Sequence, residues 1–227
     1  MKKTLKKWWT DWVRSVLLVV LLITSFRSAV ADWNDVPTGS MKPTIFEGDR
    51  IFVNKLAYDL KVPFTTVRLT SWAHPDRGDI VVLYSPVDGK RLVKRVVGIP
   101  GDTVEMVADR LVVNSEVMHY APLTPGIISG QTPGVAGHVI AEETLGDTPH
   151  AMMIMHGPTG LASFAPVKVG HGQYFVMGDN RDESYDSRYF GPVSRDQIVG
   201  RATAVAASVD PERHNLPRWE RLLHNHM

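Results

Sequence analysis

The sequence predicts a mainly β fold: a β core, interrupted by a smaller irregular β insertion and preceded by one N-terminal transmembrane helix. Three observations predict it. An uncharged apolar run at residues 15–26 follows a basic segment. Beyond it, short β-branched and aromatic runs recur at 51–53, 80–84, 91–99, 103–105, 111–114, 173–177 and 199–205, most of them bounded by turn residues. Between them, residues 118–172 change texture to scattered Gly, Pro, His and Met with few charges. The division expected is 1–31 for the basic segment and anchor, 32–117 and 173–227 for the two parts of the core with a C-terminal tail, and 118–172 for the insertion.

The N-terminal element is read from its flanks. Lys2, Lys3, Lys6, Lys7 and Arg14 face a single acid, Asp11, and Trp8, Trp9 and Trp12 lie among them. Basic flank, aromatic belt and apolar run together place the N-terminus in the cytoplasm. A full span needs about 20 residues. The helix therefore has to take in Trp12 and Val13, let Arg14 and Arg27 snorkel, and continue through Ala29 to Ala31. A cleavable signal peptide is the rival reading, because Ala29-Val30-Ala31 is a small-x-small junction after a basic and an apolar region. The anchor is favoured, and either way the remainder is exported.

Within the core, residues 56–70 read as a loose hairpin or loop around Pro63, and His74 to Asp79 is a turn leading into the buried strand at 80–84. Asp88-Gly89 has hairpin chemistry, so the next strand, at 91–98, runs back beside it. Alternation puts Leu92, Lys94 and Val96 on one face and Val93, Arg95 and Val97 on the other. Residues 216–226 read as a short amphipathic helix.

Composition removes several chemistries. With 227 residues, 44% hydrophobic and 22% charged, the chain can fold as one sizeable domain, and a net charge of +1 calls for no nucleic acid. Cysteine is absent, which excludes disulfides, thiolate metal sites and a cysteine nucleophile. His119, His138, His150, His156 and His171 show no metal-ligand spacing and read as loop or packing residues. No metal or cofactor is expected.

What remains is a serine. In Val36-Pro37-Thr38-Gly39-Ser40-Met41-Lys42-Pro43, two prolines pin the backbone on either side of one small hydroxyl residue. Such a serine needs a base and donors for an oxyanion. Lys42 lies two residues away, which is not a helical S-x-x-K spacing; Lys55 follows several polar residues in a strand; Lys94 has the most apolar company. Burial lowers a lysine pKa, and bringing it from about 10.4 to near neutrality costs on the order of 4 kcal/mol. The loop at 178–191, dense in opposite charges, is either a solvated turn or the shell around a buried lysine.

Four ordered blocks resemble bacterial type I signal peptidase: Pro37-Thr38-Gly39-Ser40-Met41-x-Pro43-Thr44; Gly48-Asp49-Arg50-Ile51-Phe52-Val53-Asn54-Lys55; Arg77-Gly78-Asp79-Ile80-Val81-Val82 leading to Lys94-Arg95-Val96-Val97-Gly98-Ile99-Pro100-Gly101-Asp102; and Gly178-Asp179-Asn180-Arg181-Asp182-x-Ser184-x-Asp186-Ser187-Arg188. The resemblance implies a coiled antiparallel catalytic sheet and a membrane-bound serine endopeptidase that removes signal peptides from exported preproteins. It implies Ser40 as nucleophile, Lys94 as base, Ser184 orienting the lysine, and an oxyanion hole made by the Ser40 N–H and the Thr38 hydroxyl. Threonine stands at position 38 where the family usually has serine, which keeps the donor and adds a methyl group.

Arg95, Asp179, Arg181, Asp186 and Arg188 would be structural, and Val36, Pro37, Met41, Ile45, Leu92 and Val93 would line pockets for an Ala-x-Ala junction. The implied partners are signal peptides and the lipid bilayer. The implied location is the bacterial cytoplasmic membrane, crossed once, with the catalytic domain on the outer face. A specialised relative that matures pilin-type precursors would share these residues, whereas an inactive assembly factor on the same fold would be expected to lack Ser40 or Lys94.

Overall fold

A computed structural model describes residues 2–65, 67–123, 138–155 and 161–222. Helix α1 (Lys2–Ala29) extends the apolar run at both ends, as its short length requires. Asp11–Ala29, with mean hydropathy 1.6, is long and apolar enough to cross a membrane by length and composition, and is the one such helix among the described residues.

The chain turns from α1 straight into β1 (Ala31–Asp35) and, after the turn that carries Ser40, into β2 (Asp49–Asn54). A hairpin of β3 (Asp59–Lys61) and β4 (Arg68–Ser71) precedes the apolar β5 (Ile80–Tyr84) and the long β6 (Arg91–Gly98). Seven strands then stand apart from the first sheet: β7 (Thr103–Val107), β8 (Arg110–Val113), β9 (Glu116–Val117), β10 (His119–Pro122), β11 (His138–Leu145), β12 (Thr148–Met155) and β13 (Phe164–Lys168). The return is made by β14 (Gln173–Met177), the single-turn α2 (Ser187–Phe190), β15 (Val193–Ser194), β16 (Ile198–Asp210) and β17 (Leu216–Pro217).

The main sheet has the order β1-β2-β16-β5-β6-β14-β15, with β17 added to β16 and each neighbouring pair antiparallel. It curls into a half-barrel, so the fold is the mainly β, coiled antiparallel core expected. The curl has a cause in β16. Its first residues pair with β5 and its later ones with β2, with register shifts after Ile198, Ala202 and Val205 that bend and twist the strand. Gly200 sits at this bend because a Cβ there would lie 2.5 Å from the Asn54 carbonyl oxygen and 2.9 Å from Lys55 Cα.

The chain leaves the main sheet after Gly98, well before the change of texture at Met118. β13-β7-β8-β9 and β10-β11-β12 make two smaller sheets, and the first packs Val104, Met106 and Leu111 against Val97, Phe175 and Met177 of the main sheet.

Two local readings change. Lys55 does not lie in a strand but opens a 3-10 turn, where its Nζ donates to the carbonyls of Arg27 and Ser28 at 3.1 Å and closes the C-terminus of α1. The amphipathic helix expected over 216–226 is replaced by β17 and a 3-10 turn, Trp219–Arg221; His224 and His226 lie outside the described residues. The reason is an ion pair: Arg221 Nη2 reaches Asp49 Oδ2 at 2.7 Å in the interior, and His214 and Asn215 take left-handed φ to turn the chain there.

Asp49 is fully buried and also accepts the Phe46 N–H at 2.9 Å. Arg221→Met leaves that carboxylate only the more distant Arg218, 3.7 Å away, so it is expected to lower the urea unfolding free energy of the detergent-solubilised chain by about 2 kcal/mol. A midpoint unchanged from wild type would show that the pair does not hold the C-terminal segment.

Candidate active site

The turn that presents Ser40 is fixed from both ends. Val36 donates its N–H to the Asp49 carbonyl and accepts from the Gly48 N–H, while the Lys42, Thr44 and Ile45 amides bond back to Gly39 and Met41. Met41 and Ile45 are buried beneath it with Val36, Ile51, Val53 and Val93. A third segment clamps the turn from above: the Asn180 N–H donates to the Ser40 carbonyl at 3.1 Å and Asn180 Nδ2 to the Gly39 carbonyl at 3.2 Å. Gly178 has no room for a side chain, because a Cβ would lie 2.3 Å from both the Ser40 carbonyl oxygen and Ser184 Oγ.

Partners separate the three candidate lysines. Lys42 pairs with Glu47 at 2.7 Å, and Lys55 caps α1 and lies 3.3 Å from Asp32. Lys94 has no carboxylate partner among the described residues; its Nζ donates to Ser40 Oγ at 2.5 Å. Alternation along β6 points the two cations to opposite faces, and the structure buries both, each 2% exposed. Arg95 is neutralised by Asp179, with Nε to Oδ1 at 2.8 Å and Nη2 to Oδ2 at 2.7 Å, whereas Lys94 is not neutralised. Burial therefore lowers the Lys94 ammonium to about 8, against the opposing pull of Asp186 and Asp179.

Ser184 and Asp186 stand behind the lysine. Ser184 Oγ donates to Asp186 Oδ2 at 2.6 Å, not to Lys94. That carboxylate also accepts from the Gly178 N–H at 3.0 Å and from Arg188 through Nε at 2.8 Å and Nη2 at 2.8 Å. Burial would raise Asp186, but the hydrogen bonds and charge of Arg188, with the Ser184 and Gly178 donors, together outweigh it and hold the carboxyl below its ordinary range. Asp179 is held low in the same way by Arg95, against its burial. On the other side of Ser40, Thr38 is exposed, and the Ser40 N–H has no backbone partner among the described residues.

Of the expected pocket residues, Val36, Met41, Ile45 and Val93 share one apolar cluster and Pro37 lies exposed beside it. Leu92 is not with them: it packs against Val81, Leu83 and Val96. β14 pairs with β6 only as far as Arg95, so Arg91 to Lys94 have β5 on one side and an open edge on the other.

The loop at 178–188 is no solvated turn. Asp179, Asn180, Arg181, Ser184, Asp186 and Ser187 are all buried. Arg181 pairs with Glu143 of β11, which also takes the Tyr120 hydroxyl and lies 3.3 Å from His150 Nε2. Glu143 and His150 are direct cross-strand partners, and an isolated bridge joins Met153 to Asn180. Burial and Arg95 keep His150 below its ordinary pKa, and it sits buried in the packing. His156 lies outside the described residues. Asn180, Glu143 and Tyr120 were not singled out from the sequence; the cue for Glu143 was the acidic pair Glu142-Glu143 within an apolar strand.

Comparison with known proteins shows the family. Residues 9–207 match the family described as "Signal peptidase, peptidase S26". Signal peptidase I of Pseudomonas aeruginosa is 37% identical over 226 residues, covering 93% of this chain and 78% of the relative. Signal peptidase I P of Bacillus subtilis subsp. natto is 33% identical, covering 90% and 92%. A crystal structure of a signal peptidase I from Enterococcus faecalis is 31% identical and covers 59% of this chain and all of that one, with a TM-score of 0.36. With its serine, its buried lysine and these relatives, the chain belongs to the signal peptidase family, peptidase S26.

Proposed function

We propose that this chain is a membrane-anchored serine endopeptidase that removes signal peptides from exported preproteins with a Ser40–Lys94 dyad. The observation that carries the reading is a buried lysine, without a carboxylate partner among the described residues, hydrogen-bonded to the hydroxyl of a serine in a rigid turn. Neutral Lys94 takes the Ser40 proton as Oγ attacks the scissile carbonyl. The Ser40 N–H and the Thr38 hydroxyl meet the oxyanion, and the lysinium returns its proton to the leaving amine. Water then hydrolyses the acyl-enzyme with Lys94 again as base. Ser184 acts through Asp186, fixing the carboxylate that faces the lysine.

The substrate adds as a strand on the open edge of β6 at Arg91 to Lys94, opposite residues 36–40. Val36, Met41, Ile45 and Val93 form one apolar cluster beside that edge and would line pockets for the small side chains of an Ala-x-Ala junction. We take residues 1–31 as the anchor, with the N-terminus in the cytoplasm on the strength of its lysines, and 32–117 with 173–227 as an extracytoplasmic catalytic core around 118–172.

Mass spectrometry of a preprotein with an Ala-x-Ala junction tests the activity. Wild type is expected to cut after the second alanine, and Ser40→Ala to be slower by at least about 10³-fold. Equal cleavage by both excludes Ser40 as nucleophile; cleavage of pilin-type precursors alone assigns the specialised activity.

The pH profile follows from the lysine. Lys94 acts only when neutral, so kcat/KM is expected to rise tenfold per pH unit below about 8 and level off above it. A limb near pH 6.5 that shifts on substitution of His150 would assign the base elsewhere.

Stability also rises with pH, in the window above the activity limb. The folded pKa lies below the unfolded value, so between about 8 and 10.5 the unfolded chain binds more protons and stability rises with pH. Below 8 the full penalty is present. Lys94→Met removes it, and is expected to abolish cleavage while raising the unfolding free energy at pH 7 by up to about 3 kcal/mol, less the lost Ser40 hydrogen bond. A variant less stable than wild type at pH 7 would overturn the claim that Lys94 is held there at a cost.

A further inference from the structure

The open edge of β6 ends at Ser40. β14 occupies the same side of β6 from Gly98 to Arg95, where Met177 is its last paired residue, and Gly178 then turns away with its N–H donating to Asp186 Oδ2. A peptide strand beside Arg91 to Lys94 therefore meets the end of β14 and has to leave the sheet as it passes the serine. The surface it meets is the loop at 178–188. That loop lies against the nucleophile turn through the Asn180 bonds to the Ser40 and Gly39 carbonyls.

Among residues 178–187 only Glu183 and Tyr185 are exposed. Ser184 between them is buried and donates to Asp186, so its two neighbours face outward together. The other charges of the loop are engaged: Asp179 by Arg95, Arg181 by Glu143, Asp186 by Arg188, and Asp182 by the Met155 N–H at 2.6 Å. On the nucleophile turn, Glu47 is neutralised by Lys42. Glu183 has no ion-pair partner among the described residues; it is held by Asn180 Nδ2, which donates to its Oε2 at 2.9 Å. Tyr185, 54% exposed, stacks on Tyr189 with ring centroids 5.3 Å apart, and Phe190 meets it edge-on at 5.5 Å. A fixed carboxylate beside a fixed aromatic face suits a lysine or arginine, whose stem covers the ring while its head meets the carboxylate.

We propose that Glu183 and Tyr185 select charge on the leaving side of the scissile bond. Substrates with Lys or Arg at the first or second residue after the cut are favoured, and those with Asp or Glu there are disfavoured. This rests on the peptidase reading above. Glu183 stands at the surface, so one contact with it changes the rate only a few-fold; attraction of one charge and repulsion of the other combine to about tenfold.

Peptides with one Ala-x-Ala junction, and Lys, Gln or Asp at each of the two residues after the cut, are assayed at low salt with the full chain in detergent. Wild type is expected to show kcat/KM about tenfold higher for Lys than for Asp. In Glu183→Gln, which keeps an acceptor for Asn180, the ratio is expected to fall to about two, the share left to the ring. Glu183→Lys is expected to invert it, and Tyr185→Leu to lower it about twofold. Each ratio is taken within one variant, so a general loss of activity does not mimic the result. A ratio unchanged in Glu183→Gln overturns the proposal. So does a change of equal size when the charge is moved to the middle residue of Ala-x-Ala, since a local contact would not reach it. Equal cleavage of all peptides by wild type, with Ser40→Ala inactive, removes the charge selection alone. No cleavage of any peptide by wild type removes the peptidase reading and this proposal together.

Discussion

The catalytic layer is organised around burying Lys94 without giving it a carboxylate. Two carboxylates influence it, Asp186 and Asp179, and both favour its charged form. Each is held instead by an arginine, Arg188 and Arg95, and by further donors: the Gly178 N–H and Ser184 Oγ for Asp186, Thr44 Oγ1 for Asp179. If either arginine were missing, its carboxylate could turn to the nearest cation, and the lysine would return toward its ordinary value. Buried ion pairs of this kind add little net stability over apolar packing. What they supply here is an assignment of partners that leaves Lys94 without a carboxylate among the described residues.

That assignment depends on the second layer. Arg181 sits in the catalytic loop but pairs with Glu143, whose other oxygen takes Tyr120, and β12 holds the loop backbone through the Met153–Asn180 bridge. Asn180 then holds the turn at Ser40. The serine, the lysine and the clamp come from three separate stretches of chain, and none positions itself. The smaller sheets are therefore a support for the catalytic geometry, not an appendage to it.

Much of this was legible in sequence. Alternation and turn residues identified β5, β6 and β14, and apolar company singled out Lys94. What alternation along β6 could not reveal was that both cations are buried, because the difference between them lies in Asp179, a residue 84 positions away. The loop at 178–188 was open to two readings for the same reason: its charges look solvated until the partners on β6 and β11 are known. Lys55 was misread because its partners, the last carbonyls of α1, come from an element whose end no local pattern fixes. Leu92 and Val93 were adjacent candidates for one pocket, and strand geometry sends neighbours to opposite faces.

The same dependence on distant partners bears on the chain's own small-x-small triplet. A peptide that adds as a strand must offer free backbone groups along its length. In Ala29-Val30-Ala31 they are taken. The Val30 N–H bonds back to Phe26, its carbonyl accepts from Lys55 at 3.0 Å, and Ala31 opens β1 opposite Asn54. Asp32, the next residue, is buried among Arg27, Lys55 and Arg91, and these cations hold its carboxyl below the ordinary range despite its burial. Drawing the triplet into the site would break the end of α1 and strip the first strand from the sheet. On the proposed Ala-x-Ala specificity, the peptidase would separate its substrates from its own N-terminal helix by conformation, since the side chains at the two junctions would be the same.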